Sequence, residues 1–414
     1  MTAAGMVPLR WLWAALMWQG GAAWLGRGLE MARWVAAARL LPPEPLGWLL
    51  LAQALAMAAA LPLQWGCRRL YLTLDDAACP PGAGEVLWRA GVMLPLAALL
   101  LVMVVALLLQ QILPPTPLTT LTPILAAVGL ARSLVSLRLW RCERQLDFAP
   151  VARQQILWGI LCLVGLTLGA AVSGHATGAA WGWLAGALLA AGLSHLPLPQ
   201  TPCPRYPAQA LPWGWLWAQR RFGAQWMWIG VFAFAGVQGG ELLVGAWLGP
   251  ALLAQYALAW RLAHAPLGLV TAPVNRVCFP LHGRWQGRDA RTLILWQMAL
   301  TAGVTAGVLL VLGVFRHWVV PALFGSGWAL SATLLPGALA AAWLRGINDV
   351  LGSRSMACGD GGRETRRRGA EVLLLLCGLA LGGAVDGAGG VAWGAAVVQG
   401  VLLAERLFKH QERS

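Results

Sequence analysis

The sequence predicts an all-α polytopic membrane protein of about twelve transmembrane helices in two six-helix lobes. Three observations predict it. Of 414 residues, 59% are hydrophobic and only 11% charged, with a mean hydropathy of +0.66, far from the composition of soluble domains. Apolar runs long enough to cross a bilayer recur along the chain, each needing about 20 residues. The basic residues fall almost entirely into one of two alternating sets of loops.

The first run, Trp11 to Leu41, carries Arg27, Glu30 and Arg33 and stops at Pro42-Pro43-Glu44-Pro45, a cluster that cannot continue a helix. Arg10 precedes it, but no small-residue cleavage site follows, so this helix is expected to stay. Leu46 to Leu63 is the second span. Cys67 to Arg89 is rich in Pro, Gly and charge and reads as a polar loop. Gly91 to Leu113 is the third span, and Pro114 to Pro117 is a turn. Leu118 to Trp140, with Arg132 inside it, is the fourth. A basic loop leads to spans five, Ile156 to Val172, and six, Ala179 to Leu196. Pro197 to Pro212 carries six prolines and is the linker between halves.

Beyond it, Trp213 to Phe222 is a Trp-rich, Arg-tipped segment suited to the headgroup layer. Spans seven and eight are Ala224 to Leu248 and Ala251 to Val274, holding Glu241 and then Arg261 and His264. Asn275 to Arg291 is a basic loop. Thr292 to Phe315 is the ninth span and Pro321 to Gly327 a turn. Trp328 to Leu351, with Arg345 and Asp349, is the tenth. Arg354 to Arg368 is a further basic loop, and Ala370 to Val385 and Val391 to Leu407 complete the set. The expected organisation is a lobe over 1–196, a cytoplasmic linker and interfacial segment over 197–222, and a second lobe over 223–414.

The net charge of +14 comes almost wholly from arginine, Lys409 being the only lysine. Twelve spans divide the loops into two sets. The set that includes both termini holds 23 basic residues, whereas the other holds Arg39 and Arg316. That asymmetry places both termini in the cytoplasm. It also explains the basic total as topology and argues against a nucleic-acid partner. Many of the 25 tryptophans sit at span ends, among them Trp11, Trp48, Trp88, Trp140, Trp213, Trp247 and Trp318, as an interfacial belt does. Trp24, Trp183, Trp260 and Trp343 lie within spans and are read as lipid-facing.

Laying Pro43 on Pro250 aligns two Pro-capped starts of even-numbered spans, half a chain apart. Two halves of six spans share one orientation in the bilayer, the parallel-repeat plan of a transporter with its site between the halves.

Charge inside spans costs about 2.5–3.5 kcal/mol per group on insertion scales, so each such group faces an interior or a partner. Glu30 lies three residues from both Arg27 and Arg33, and Arg345 lies four from Asp349. Both sets read either as self-neutralising intrahelical pairs or as site residues. Arg132, Arg261 and Glu241 have no partner within a helical turn. The excess of arginine describes a cationic substrate cavity of Arg27, Arg33, Arg132, Arg261 and Arg345, suited to holding phosphate oxygens bidentately. Glu30, Glu241, Asp349 and His264 are the candidates for coupling to H+ or Na+. The eight cysteines show no C-x-x-C spacing, and no metal, cofactor or catalytic set is expected.

The run Trp247-Leu248-Gly249-Pro250-Ala251, through Tyr256, Ala259-Trp260-Arg261-Leu262-Ala263 and Pro266 to Pro273-Val274-Asn275-Arg276-Val277-Cys278-Phe279-Pro280, resembles oligosaccharide flippases, the polysaccharide-transporter (Wzx-like) branch of the MOP superfamily. Ala38-Arg39-Leu40-Leu41-Pro42-Pro43-Glu44 resembles that family's first periplasmic turn, and Leu323-Phe324-Gly325-Ser326-Gly327-Trp328 its turn before span ten. The resemblance implies a flippase moving an undecaprenyl-pyrophosphate-linked oligosaccharide across the bacterial inner membrane for O-antigen or exopolysaccharide export. Its partners would be that lipid-linked glycan, membrane lipids and other glycan-export proteins. One position departs from the pattern: Gly240 falls where the family often has an acidic residue, with Glu241 one place later. A multidrug or cation extruder of the same superfamily would need an anionic cavity. A membrane glycan polymerase or glycosyltransferase would need an acidic catalytic group and a large periplasmic loop.

Overall fold

The computed structural model describes residues 9–61, 67–73, 83–112, 116–144, 147–194, 213–284, 287–357 and 361–411. The expected linker over 197–212 and the turn prolines Pro114 and Pro115 lie outside them. The described chain is helical: α1 (Leu9–Leu40), α2 (Pro43–Ala60), α3 (Cys67–Thr73), α4 (Ala83–Ile112), α5 (Pro117–Arg144), α6 (Phe148–Ser173), α7 (Ala176–Ser194), α8 (Trp213–Ala218), α9 (Arg220–Trp247), α10 (Pro250–Arg284), α11 (Gly287–Val314), α12 (Arg316–Phe324), a 3-10 turn (Ser326–Trp328), α13 (Ala329–Ala357) and α14 (Gly361–Gln411). α14 bends at Asp386 and Gly387, which leave helical geometry, and forms two limbs. Long helices therefore stand where each expected span was placed.

Among the described residues, eight helical stretches are long and apolar enough to cross a membrane, one of them covering both limbs of α14. α1, α2 and α10 are not among them. These helices carry Arg33, Gln53, Gln255 and Arg261, groups that lipid would not tolerate and neighbouring helices must shield. The protein is an all-α, multi-pass membrane protein.

Four expected loops are partly or wholly helical. The segment expected as the loop Cys67 to Arg89 contains α3 and the start of α4. α3 packs Cys67 and Tyr71 against Val86, Leu87, Leu137 and Trp140, so an apolar face outweighs the local Pro/Gly content. Asn275 to Arg291 and Arg354 to Arg368 prolong α10, α11, α13 and α14, because arginine is a good helix former and the helices run past the bilayer. Pro321 lies inside α12, whose last turn closes with Gly325 N–H donating to Pro321 O at 2.9 Å.

The chain divides into two compact units, Met1–Arg33 with Leu55–Val231, and Trp34–Ala54 with Phe232–Ser414. The tip of the first hairpin, expected within the first lobe, thus packs with the second unit.

In the first unit, α6 and α7 form a tight antiparallel hairpin. A Cβ on Gly165 would come within 2.2 Å of Gly182 O, and one on Gly169 within 2.2 Å of Gly178 O. The helices cross backbone on backbone, as small-residue spacing permits in membranes. The turn is set by Gly174, in left-handed geometry (φ 67), whose N–H donates to Ala170 O.

In the second unit, α13 is the central helix, burying Ala332, Leu335, Ala338, Ala341 and Ala342. Gln255 of α10 fastens to it: Ser331 N–H donates to Gln255 Oε1 at 3.0 Å, and Gln255 Nε2 donates to Gly327 O at 2.9 Å. The 34–54 segment is tied in at three points. Arg39 donates to Leu323 O (2.8 Å) and Ala322 O, Trp328 Nε1 donates to Ala38 O (2.9 Å), and Gly47 lies so close to Pro250 that no Cβ fits.

Candidate functional site

Two guanidinium groups, one in each unit, are held against indole rings. In the first unit Arg33, 8% exposed, places its guanidinium 4.3 Å from the ring centroid of Trp183. The next residue, Trp34, belongs to the second unit and offers its ring to Arg261 at 4.0 Å. A cation over an aromatic face is attracted by the ring quadrupole, by about 0.5–2 kcal/mol depending on desolvation.

Arg261 is also bound at its edge. Its Nε and Nη2 donate to Glu241 Oε1 at 3.3 and 3.2 Å, and Nη2 lies 3.2 Å from Oε2. Glu241 is 1% exposed and the Arg261 side chain 17%. The planar fork thus takes a carboxylate on its edge and an indole on its face, an arrangement arginine supports and lysine does not. Neither residue has a partner within its own helical turn, and the partner of each is the other. They are one residue pair, twenty positions apart, neutralising each other between α9 and α10.

Gly240, the departure from the family pattern, has a packing role. A Cβ there would meet the Tyr256 hydroxyl at 2.5 Å, so its absence lets α10 approach α9 and brings Arg261 to Glu241. Along α10, Tyr256 stacks on Trp260 (5.7 Å) and Trp260 meets His264 (4.2 Å). His264 Nδ1 lies 2.9 Å from Trp260 O, and Nε2 is buried with no partner among the described residues.

The other expected site residues are dispersed. Arg27 and Glu30 are exposed on α1 and Arg132 is exposed on α5. Arg345 donates to Gly236 O at 2.9 Å, while Asp349 faces Arg368 at 3.8 Å. Their partners are therefore on other helices, not each other.

Several tryptophans stand elsewhere than the sequence predicts. Trp183 and Trp260 are buried, and Trp343 Nε1 donates to Ala302 O at 3.0 Å, so none of the three is simply a lipid anchor. Trp140, expected in the interfacial belt, is core, 6.0 Å from Tyr71. The Tyr256, Trp260, His264 spacing of four was the available signal for a stacked row on one helix face.

The polysaccharide biosynthesis protein family matches residues 36–333, which contain Glu241, Arg261, Trp183 and the Pro-capped starts of α2 and α10. The chain belongs to this family. No curated protein sequence matches it significantly. The member's fold is shared with solved transporters at low identity. An inward-facing multidrug resistance MATE family transporter of the MOP superfamily matches with a TM-score of 0.71 at 14% identity, covering 93% of each chain. The lipid II flippase MurJ, in an inward closed conformation, matches with a TM-score of 0.69 at 13% identity, covering 94% of this chain and 86% of that one. A MOP superfamily transporter from Pyrococcus furiosus, described as having a binding pocket of reversed polarity, matches with a TM-score of 0.59 at 13% identity over 95% of each. The family member thus has the MOP transporter fold.

Proposed function

We propose that this protein is a flippase that carries a lipid-linked oligosaccharide, of the undecaprenyl-pyrophosphate class, from the inner to the outer leaflet of a bacterial inner membrane by alternating access. The observation that carries the reading is the Glu241–Arg261–Trp34 stack. An arginine held within a membrane helix has the planar fork that takes phosphate oxygens bidentately, and Trp34, 1% exposed, supports the face of that fork. The match to a polysaccharide biosynthesis family supports the same cargo, and the MurJ-like fold supports the same act. The two halves, 1–196 and 223–414, would rock about the cargo while the polyprenyl tail stays in lipid. The loop arginines support cytoplasmic termini.

Glu241 gives the cycle a coupling step. A phosphate entering the site competes with the carboxylate for the edge of Arg261. A proton delivered to Glu241 abolishes its side of that competition, so cargo capture and proton uptake favour each other. In the other unit, Arg33 on Trp183 is a further buried cation. An extruder of cationic drugs is less well served, because the buried carboxylate is already committed to arginine.

The test is export. In cells dependent on this protein, Arg261→Ala and Arg33→Ala, matched for membrane expression, are expected to lower surface glycan at least tenfold and to accumulate the lipid-linked precursor inside. Export at the wild-type rate by both variants would overturn the reading.

A further inference from the structure

The second unit contains a charged cleft apart from the Glu241–Arg261 pair, where α9, α13 and both limbs of α14 meet. Its enclosed space is about 50 Å³ and it opens to solvent beyond; it is lined by Phe232, Arg345, Asn348, Asp349, Arg368 and Arg406 among others. With Glu371 at its wall, three guanidinium groups face two carboxylates, leaving one net positive charge. Arg406 is committed: it pairs with Glu371 and donates to Asn348 O at 3.0 Å. Arg345 spends Nη1 on Gly236 O, and Arg368 lies 3.8 Å from Asp349 with its side chain 34% exposed.

Asn348 supplies the second observation. Its Nδ2 donates to Gln399 O at 3.0 Å and to Gln399 Oε1 at 2.9 Å. A backbone carbonyl can only accept, so the amide orientation is fixed, and Asn348 Oδ1 is left buried with no partner among the described residues, on a side chain 5% exposed. A buried acceptor without a donor is costly, and a ligand hydroxyl relieves it.

The cleft therefore offers charged donors and one neutral acceptor. A bare phosphate satisfies the first and not the second; a neutral sugar does the reverse. We propose that the cleft binds a phosphorylated polyol, with the phosphate on Arg345 and Arg368 and a hydroxyl donating to Asn348 Oδ1. Two sources carry that chemistry, a glycerol-type phospholipid headgroup and a sugar phosphate. Arg368, which lines the cleft, belongs to the basic run Arg366–Arg368 of α14, and such runs meet the phosphates of an anionic leaflet at a membrane surface.

The test uses the purified full chain in neutral detergent, with binding read by native mass spectrometry. Phosphatidylglycerol is compared with phosphatidic acid of the same acyl chains, which has the phosphate and no polyol. The expected result is at least a tenfold preference for phosphatidylglycerol despite the higher charge of phosphatidic acid, from one hydrogen bond to a buried acceptor. Arg345→Gln is expected to weaken both lipids about tenfold, and Asn348→Leu to erase the preference while keeping phosphatidic acid binding. The wild-type ranking needs no variant and stands if Asn348→Leu fails to fold. Displacement of phosphatidylglycerol by glucose 1-phosphate, and not by glucose or inorganic phosphate, assigns the sugar-phosphate source; no displacement assigns the headgroup. Equal binding of the two lipids by the wild type, or Arg345→Gln binding as the wild type does, overturns the proposal. Failure here leaves glycan export by the Arg261 site untouched, because the two sites share no residue.

Discussion

The α6–α7 hairpin of the first unit and the two limbs of α14 in the second are built on the same glycine spacing. Gly165 and Gly169 meet Gly182 and Gly178; Gly378 and Gly382 meet Gly394 and Gly390. The corresponding glycines lie about 212 residues apart, half the chain. Both hairpins turn through a glycine of positive φ, Gly174 at 67° and Gly387 at 53°. What differs is the side-chain chemistry carried on the shared frame. α7 presents Trp183 to a buried arginine, whereas the second limb of α14 presents Gln399 and Arg406 to Asn348. Repeated halves hold their backbone crossings in common and diverge in what they offer a ligand.

The most severe way to break this parallel is to add a methyl group at equivalent glycines. At Gly165 the new Cβ meets a backbone carbonyl at 2.2 Å, whereas at Gly378 it meets first the end of the Val398 side chain, with Gly394 O at 3.3 Å. Gly165→Ala is therefore expected to abolish recovery of folded protein and Gly378→Ala to reduce it only in part, as Val398 rotates away. Size-exclusion profiles of the solubilised variants check this, and equal recovery of both contradicts it.

The buried arginines give the next contrast, because Arg261 answers to Glu241. Removing one partner of a buried pair leaves a charge uncompensated and costs about 3–5 kcal/mol, while replacing both by apolar residues costs far less. Glu241→Leu is thus expected to lower the melting temperature of the purified protein substantially. Adding Arg261→Met should restore most of the loss. A double variant less stable than Glu241→Leu alone would sink this account.

The smallest effect concerns α3, which has no counterpart between α10 and α11 among the described residues. The first half inserts α3 between its second and third long helices, while α10 and α11 of the second are separated by two residues. Burial pushes the Cys67 thiol on α3 up to about 11 from an ordinary 9.0. In the unfolded chain that thiol ionises near 9.0, so the folded state loses stability as pH rises from there to about 11 and none below. Maleimide labelling of Cys67 at pH 8 is expected to be slow in the folded protein and rapid after denaturation, and rapid labelling of the folded protein contradicts α3 packing.

The spans were legible because bilayer thickness imposes a length on every one of them. Loop helices were not, since α3 owes its stability to Trp140, nearly 70 residues away, and not to its own letters. Glu241 and Arg261 were each visible as buried charge. Their pairing was not, because two helices must meet for it, and the glycine at 240 that lets them meet looked like a missing acid. Trp34 and Trp183 escaped notice for a similar reason: a tryptophan beside lipid and one beside a guanidinium read identically along a chain.

The glycine crossings have a consequence for the history of the sequence. Where two side chains touch, a change in one can be answered by a change in the other, and the pair leaves a correlated record. At Gly165 and Gly182, or Gly382 and Gly390, the contact is one backbone against another. No substitution at either position can repair the other, so relatives that keep these hairpins will show solitary, fixed glycines rather than compensating pairs. These backbone crossings will then be contacts about which paired variation says least.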